Sequence, residues 1–429
     1  MIVVADIETP RLHYVLNYIF NHRLGIGYEL HQLSEYSGQQ PAVFYTSQPA
    51  DNQFSVPTSG LLAETDVWQF TPDLTFDNET PIIFADHSNC TFKFDVFAAI
   101  FWFLSRYEEY LPFLTDEHNR FPSSESFAVR NGLLETPVVD LWLQLFRNKL
   151  QKAFPNVICK AESFEFLPTI DIDSPWSYLH KGVFRNLGGA FRDLCKADFR
   201  AIITRLLVLL RLKPDPFFTF NYINHLHQGL NLHYFMLVSN RGTYDKSIKP
   251  TNRAFKRFVK HLSATHTVGL HPSYQASDNE QKFATELSDI ERITSQKCTQ
   301  SRQHFLRVIL PKYYQMLENN GITNDFSFGY ADKVGFRAGT SRPFPFFDLA
   351  QNKQLNVMLT PLVAMDVTLR NYQKLTPQQA SVVLEQLLST IKQTNGLFAT
   401  LWHNQHFCQT NKWSEWDNVY LKMLDKVKG

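Results

Sequence analysis

Two aspartates stand two residues apart at the end of an apolar run. Asp171 and Asp173 belong to the segment 168–176, whose alternation of residue types predicts a β-strand that ends near them. Successive side chains of a strand point to opposite faces, so both carboxylates lie on one face. Two close carboxylates repel each other unless a cation or a shared proton compensates, so one could bind a metal ion while the other accepts a proton. The competing interpretation is a solvated turn acid followed by a helix N-cap.

Three histidines lie at or near the ends of other predicted strands. His271 and His403 each follow a short apolar run, and His304 lies two residues after Arg302. A single histidine is more often a structural hydrogen-bonding group than a ligand. Three of them together with an acid pair favour a catalytic or metal-binding site over the solvated-turn interpretation.

The elements that must position these residues change character near residues 155–163. The first part of the chain is predicted to contain a helix at 12–20, strands at 42–45 and 81–84, a buried apolar helix at 94–110 and an amphipathic helix at 140–153. The second part alternates strands with helices, which indicates parallel strands joined by crossover connections. Its predicted strands are 164–172, 232–238, 267–271, 300–308, 322–328, 355–363 and 396–402, and its predicted helices are 251–263, 279–295, 311–319 and 376–393.

This pattern predicts an α/β chain of two domains. Residues 1–155 form an N-terminal α+β domain of unknown role, and residues 160–429 form a distorted (β/α) barrel of about seven parallel strands. The site of such a barrel lies where the strands end and the loops begin. The length of 429 residues also favours more than one domain.

Composition excludes several classes of function. The formal net charge is +1, which gives no electrostatic reason to expect a nucleic-acid partner. The five cysteines are scattered and form no Cys-X-X-Cys pair, which argues against a disulfide framework or a cysteine zinc site. The first residues lack the basic region of a signal peptide, so we expect a cytoplasmic protein.

The most apolar helical stretch, 201–210, is short and has arginines within and beside it. It cannot span a bilayer, so the sequence predicts no integral membrane segment. Two uses remain open for this stretch: packing in a core or between subunits, or lying peripherally on a membrane.

The order of the polar motifs resembles the polysaccharide deacetylase superfamily, carbohydrate esterase family four, over roughly residues 160–429. Residues 169–173 resemble its first motif, in which the first aspartate is the general base and the later one binds a divalent metal. Residues 269–271 resemble the second motif, whose histidine is a metal ligand. Arg302 falls where the third motif has an arginine that orients the base. Residues 401–403 resemble the last motif, whose histidine is the general acid.

The resemblance therefore implies a set of roles. Asp171 and His403 would be the catalytic base and acid, assisted by Arg302, while Asp173 and His271 would bind a divalent ion, zinc or alternatively cobalt or nickel. Segments 325–330, 335–340 and 106–110 resemble a bacterial subgroup with an extra N-terminal domain. The implied function is hydrolysis of N-acetyl groups from a saccharide in bacterial polysaccharide metabolism.

The chain departs from this family at two positions. The second histidine ligand of the family, four residues after the first, is replaced by Gln275, and His304 stands where the family usually has proline. Two protein ligands rarely hold a divalent ion firmly, so we predict that His304 supplies the third metal ligand or at least lines the same pocket. The competing interpretation is a histidine that hydrogen-bonds a neighbouring loop. Gln275 also keeps open an alternative, a non-catalytic saccharide-binding protein on the same barrel.

Substrate contacts are predicted from residues near the strand ends. Trp176, Tyr274 and Trp402 suit a sugar face, although they suit a hydrophobic core equally well. Arg337 is predicted to bind substrate as well. A hydrolase for another amide or for an ester would use the same machinery, and the sequence leaves the sugar and the oligomeric state open.

Overall fold

The computed structural model describes residues 1–38, 40–47, 52–408 and 413–428. The strands of this part of the chain are β1 (Ile2–Ala5), β2 (Glu29–His31), β3 (Ala42–Tyr45), β4 (Thr75–Asp77), β5 (Thr80–Ile82), β6 (Glu165–Ile172), β7 (His233–Leu237), β8 (Thr267–His271), β9 (Gln300–Ser301), β10 (Asn324–Asp325), β11 (Phe344–Asp348), β12 (Lys353–Leu359), β13 (Ala364–Met365) and β14 (Leu397–His403). The α-helices are α1 (Pro10–Leu16), α2 (Val96–Leu104), α3 (Phe127–Arg130), α4 (Val138–Ala153), α5 (Val183–Cys195), α6 (Phe199–Leu209), α7 (Phe220–Leu226), α8 (Arg253–Ser263), α9 (Glu280–Thr294), α10 (Lys312–Asn319), α11 (Pro377–Gln393) and α12 (Ser414–Lys428).

Helices begin where a short polar side chain can satisfy the first free backbone N–H groups. Asn252 caps α8, because its Oδ1 accepts from the backbone N–H groups of Ala254 and Phe255 at 2.9 and 3.1 Å. Thr376 and Gln379 form a reciprocal capping box at the start of α11. Such caps stabilise a helix by about 1 kcal/mol each. They fix the starts of two helices that cover the large sheet.

The first part of the chain contains a small parallel sheet with the order β2-β1-β3 and the hairpin β4-β5. Helix α2 is buried along its whole length because every one of its residues is apolar, and Asp95 caps it by accepting from the backbone of Ala98 at 2.9 Å. Helix α4 carries an apolar stripe that packs against this core. The predicted mixture of helices and short strands therefore agrees with the structure here.

The second part is built on a nine-stranded sheet with the order β11-β12-β10-β9-β8-β7-β6-β14-β13. All neighbouring strands are parallel except β11 and β12, which form an antiparallel pair that the sequence analysis did not predict. Strand β7 is fully buried, as expected for a central strand of a parallel sheet covered on both faces. The register places His403 beside Asp171 and Leu237 beside His271, so the polar residues gather at one end of the sheet.

A closed barrel of seven strands is not confirmed by this pairing, which leaves β11 and β13 at the edges of the sheet. Residues 360–363, between β12 and β13, nevertheless form backbone hydrogen bonds on two sides, toward the β10 side and toward β14. The backbone N–H groups of Thr360 and Leu362 donate to the carbonyls of Asp325 and Phe328 at 2.8 and 2.7 Å. The N–H of Val363 donates to the carbonyl of Ala399 at 3.1 Å, on the side of β14.

Two predicted strands are much shorter in the structure. Strand β9 covers only two residues of the predicted 300–308, because the chain turns at His304–Leu306. Phe305 and Leu306 have φ values of 63° and 50°, in the left-handed region that few residues other than glycine adopt. Strand β10 likewise covers only two residues of the predicted 322–328.

The two parts of the chain share one hydrophobic core. The ring centroids of Phe101 and Phe347 lie 5.1 Å apart, and the Tyr14 hydroxyl donates to the carbonyl of Pro345 at 2.7 Å. The guanidinium of Arg337 donates to Glu109 at 2.6 and 2.9 Å across the same boundary. None of the helices in the described part of the chain has the length and hydropathy needed to cross a bilayer.

Candidate active site

A cavity of about 220 Å³ opens at the carboxyl ends of the central strands. Its lining includes five of the residues to which the sequence analysis assigned chemistry: Asp171, Asp173, His271, His304 and His403. Residues from β6, β8, β14 and the turn after β9 therefore meet, although they are separated by more than two hundred positions in the chain. This convergence follows from parallel strands in register, whose carboxyl ends lie at one edge.

Three of these side chains form a cluster with the composition of a metal site. The Nε2 atoms of His271 and His304 lie 3.5 and 3.7 Å from Oδ1 of Asp173. The three ligand atoms all lie within 4.8 Å of one another. Asp173 Oδ1 and His271 Nε2 are buried and have no hydrogen-bond partner among the described residues. Buried polar atoms are nearly always paired, so this donor set fits a divalent cation such as zinc.

The opposite nitrogen of each imidazole is already engaged. His271 Nδ1 lies 2.5 Å from the carbonyl oxygen of Arg302, and His304 Nδ1 lies 2.9 Å from Oδ1 of Asp245. Both acceptors require an N–H at Nδ1, which leaves Nε2 of each ring, facing Asp173, to hold either a proton or a cation. Asp245 also accepts from the backbone N–H of Tyr274 at 2.9 Å, so it is fixed in place. The sequence analysis did not identify Asp245.

The ionisation of Asp173 follows from the same geometry. Burial opposes ionisation of this carboxyl, but the imidazoles of His304, His271 and His403 outweigh burial and lower its pKa below the usual value. Asp173 is thus a carboxylate at neutral pH, which is the form that binds a cation.

Asp171 is held by a buried arginine. Nη1 of Arg302 donates to Oδ1 of Asp171 at 3.0 Å and to Oγ1 of Thr169 at 2.6 Å. Nε of Arg302 donates to the carbonyl of Phe326 at 3.0 Å, and its guanidinium lies 4.4 Å from the ring centroid of Phe235. A guanidinium fixed by this many contacts orients the carboxylate as well as neutralising it. Arg302 thus lies beside Asp171, as the sequence resemblance implied.

His403 is paired with a carboxylate that the sequence analysis missed. Asp366 directly follows β13, and its Oδ1 lies 2.9 Å from His403 Nδ1, while its Oδ2 accepts from the backbone N–H of His403 at 2.7 Å. Burial disfavours protonation of His403, but Asp366, Asp173 and Asp171 outweigh burial and raise its pKa to about 10. His403 is therefore a protonated imidazolium at neutral pH. His406 Nδ1 also lies 2.6 Å from Asp366 Oδ2.

Asp366, His403 and His406 form a second cluster of possible ligand atoms. Both Nδ1 atoms lie within hydrogen-bond distance of Asp366, so the carboxylate acts as the shared acceptor of two imidazole N–H groups. The signal that could have identified Asp366 is its place three residues after the predicted strand 355–363, since Asp171 was likewise noticed as an acid near a predicted strand end.

Three of the four predicted substrate-binding residues, Trp402, Arg337 and Trp176, do not line this cavity. Trp402 is buried against Tyr420, because strand alternation sends it to the face opposite His403. Arg337 is buried in its ion pair with Glu109 and does not line the cavity. Trp176 is buried and stacks on Phe218, with ring centroids 5.8 Å apart.

Tyr274, the fourth predicted substrate-binding residue, is half-buried beside Phe305, which lines the cavity. Its ring stacks on that of Tyr244 with centroids 4.2 Å apart and contacts Phe305 at 5.4 Å. Gln275, in contrast, is exposed, and its Oε1 accepts from Nζ of Lys282 at 2.9 Å. The position of the family's second histidine therefore does not face the cluster, whereas His304 does.

The first part of the chain also reaches the cavity, through Arg120. Its Nη1 donates to the carbonyl of Phe305 at 2.7 Å, and its Nε donates to Asp116 at 2.7 Å. The ring of His118 packs on Phe305 with centroids 4.9 Å apart. Residues 116–120 thus hold the left-handed turn that follows His304.

Comparison with known proteins adds a family without an assigned role. The family described as "Family of unknown function (DUF7033)" matches residues 1–155, the span predicted as the N-terminal domain. No curated protein sequence matches the chain.

Three solved structures share weak similarity with 62% of this chain. A protein described as a polysaccharide deacetylase from Mycobacterium smegmatis has 10% identity and a TM-score of 0.40, over 85% of its own length. A 4-alpha-glucanotransferase from Thermococcus litoralis has 11% identity and a TM-score of 0.36, over 37% of its length. A mutant of a CE4 family pseudoenzyme with restored enzymatic activity has 12% identity and a TM-score of 0.28, over 64% of its length. These similarities are too low to transfer an activity to this chain.

Proposed function

We propose that the protein is a divalent-metal-dependent hydrolase that removes N-acetyl groups from a saccharide. The observation that carries the proposal is the arrangement around Asp173. Its unpaired oxygen and two imidazole nitrogens form a cation site between a carboxylate held by arginine and a protonated histidine. The saccharide substrate and the bacterial setting are inferred from the resemblance of the sequence motifs alone.

The three ligands would be Asp173, His271 and His304. A divalent ion bound there would polarise the amide carbonyl and lower the pKa of a water molecule. His304 Nδ1 contacts Asp245, and His271 Nδ1 contacts the Arg302 carbonyl. These contacts support the assignment, because hydrogen bonds at the nitrogen that does not bind the metal fix the orientation of metal-binding imidazoles.

Proton transfer would be divided between two residues. Asp171 would accept the proton of the attacking water, and Arg302 would keep the carboxylate ionised and oriented. An amine leaves poorly as an anion, so the departing nitrogen needs a proton. His403, protonated through its pairing with Asp366, would donate that proton.

The proposed site also requires the sheet to curve so that β14 and β8 face one cavity. We infer that the sheet closes into a ring of seven strands, β6 to β10, the 353–365 segment and β14. The two-sided hydrogen bonds of residues 360–363 support this closure, because they join the sides of β10 and β14.

The non-catalytic alternative rested on Gln275. His304 beside Asp173 and His271 favours the catalytic proposal, because it supplies a third ligand from a different segment of the chain.

A direct test combines metal analysis with an assay of acetate release. The purified protein, loaded with zinc or cobalt, is incubated with N-acetylglucosamine oligosaccharides, and released acetate is measured. We expect about one tightly bound ion per chain and acetate release that a chelator abolishes. Saccharide binding without acetate release in the metal-loaded protein would favour the non-catalytic alternative. Acetate release unaffected by metal removal would reject the proposed chemistry.

A further inference from the structure

The helical hairpin formed by α5 and α6 has an exposed apolar face. Val183, Phe184, Leu187 and Phe191 are 70%, 91%, 62% and 69% exposed, and Ile203 and Leu206 are each 57% exposed. On each helix these residues recur every three or four positions, so they form one stripe. We call these six residues the hairpin face. Monomeric soluble proteins rarely leave such a continuous apolar surface uncovered.

Buried polar side chains join α5 to α6. Arg205 is buried, and its guanidinium donates to Asp193 at 2.6 Å and to Asn186 at 3.1 Å. It also lies 4.6 Å from the ring centroid of Tyr178. Since these contacts fix α6 against α5, the apolar stripe cannot turn inward without breaking a buried ion pair. Packing of the 201–210 stretch into the core, one of the two uses left open by the sequence, therefore does not account for the hairpin face.

The charge of the hairpin is strongly positive. Residues 181–213 contain eight lysines or arginines and two aspartates, a net charge of +6, whereas the whole chain carries +1. One arginine and one aspartate of this segment form the buried pair of Arg205 and Asp193. The remaining basic residues include Arg192, Lys196 and Arg200, which are exposed beside the apolar stripe.

We propose that the hairpin face docks onto a lipid bilayer surface that contains anionic head groups. The apolar stripe would enter the boundary between head groups and acyl chains, and the basic residues would contact the anionic head groups. A second copy of the chain fits this face less well. A two-fold interface would bring the same face of both copies together, and with it two strongly positive hairpins.

The hairpin is attached beside the candidate active site. The hairpin follows Asp173 in the chain. Asn404 donates to the carbonyl of Ser174, which precedes the hairpin, at 3.3 Å and to that of Phe217, which follows it, at 2.8 Å. Docking would therefore tether the cavity-bearing end of the sheet to the bilayer. The proposal itself does not depend on the reaction that the site catalyses.

The test is co-flotation of the full-length protein with lipid vesicles. Vesicles of phosphatidylcholine with about one third phosphatidylglycerol are compared with vesicles of phosphatidylcholine alone, because the basic residues should respond to anionic lipid. The double variant F184S/F191S removes the two most exposed aromatics of the hairpin face, and Leu114→Ser is a matched control at a residue that is 79% exposed elsewhere. A second variant, K196Q/R200Q, removes two exposed charges and leaves the apolar stripe and the buried Arg205–Asp193 pair intact. Circular dichroism checks that each variant is folded.

We expect the protein and the Leu114→Ser control to float with the anionic vesicles and F184S/F191S to remain in solution. The charge variant should bind roughly 25-fold more weakly, from about fivefold for each of the two charges removed. Absence of flotation of the wild-type protein with anionic vesicles would overturn the proposal. It would also be overturned if the wild-type protein were a dimer that F184S/F191S dissociates and vesicles captured neither form.

Discussion

Replacing His304 tests the proposed metal site at the ligand that has no counterpart in the family that the sequence resembles. In the variant H304A, Asp173 and His271 remain as the only two of the three clustered ligands. Loss of a contact that merely orients a ligand typically lowers metal affinity 10- to 100-fold, so loss of the ligand itself should cost at least about 100-fold. This factor corresponds to about 3 kcal/mol of binding free energy.

The control comes from the exposed position where the resemblance led us to look for a second histidine. Gln275 is bonded to Lys282 and faces solvent, so Gln275→His should neither raise the affinity of the wild-type protein nor rescue H304A. Zinc affinity is measured by competition with a chromogenic chelator. The d–d absorption of bound cobalt reports separately on the number of ligands. Thermal unfolding of the metal-free proteins shows whether either substitution damages the fold.

Wild-type zinc affinity and an unchanged cobalt spectrum in H304A would refute the assignment of His304 as a ligand. Rescue of H304A by Gln275→His would refute it in another way, because the exposed loop would then have to reach Asp173. Asp245→Asn provides a graded test, since it weakens the contact to His304 Nδ1 but leaves the ring in place. Its expected loss is about 10- to 100-fold in affinity.

Three further outcomes are expected. Asp171→Asn should lower kcat by about 10²–10⁴ while zinc content stays at the wild-type level; loss of zinc instead would show that the roles of the two aspartates are reversed. Burial raises the pKa of Glu286 to about 7 although Ser273 donates two hydrogen bonds to it. Because the pKa of Glu286 is higher in the folded than in the unfolded protein, the free energy of unfolding should fall as the pH rises from about 4.5 through about 7, by at most about 3 kcal/mol. Urea unfolding at both pH values should show this loss in the wild-type protein and not in Glu286→Gln, and equal pH slopes would contradict it. Arg120→Ala should weaken zinc binding by about tenfold, whereas exposed Arg130→Ala should not, and Arg120→Lys should restore part of the loss; equal affinities in all of these proteins would show that Arg120 does not position His304.

The part of the site that the sequence could predict lies on the strands. Alternation of side chains places Asp171 and Asp173 on one face, and parallel register brings His403 beside Asp171. The same rule sends Trp402 to the face opposite His403, which favours the hydrophobic-core interpretation that the sequence left open for it.

The partners of these residues were not predictable in the same way. Asp245 reaches His304 across 59 positions, and Glu109 pairs with Arg337 across 228 positions. No local pattern encodes such contacts, because they depend on where loops pass one another after folding. Asp366 is an intermediate case. Its place shortly after the predicted strand 355–363 was visible, but β13 itself has only two residues and is too short to be recognised from alternation.

The turn after β9 is where the first 155 residues contact the candidate site. Arg302 and His304 both reach the site, at Asp171 and Asp173, and directly after His304 the chain bends at Phe305 and Leu306 into the left-handed region. Such backbone costs about 1–3 kcal/mol for each residue and persists only when surrounding contacts impose it. Here the contacts come from Arg120, which binds the Phe305 carbonyl, and from the ring of His118. Because this bend directly follows His304, the position of the proposed third ligand is coupled to a segment outside the large sheet.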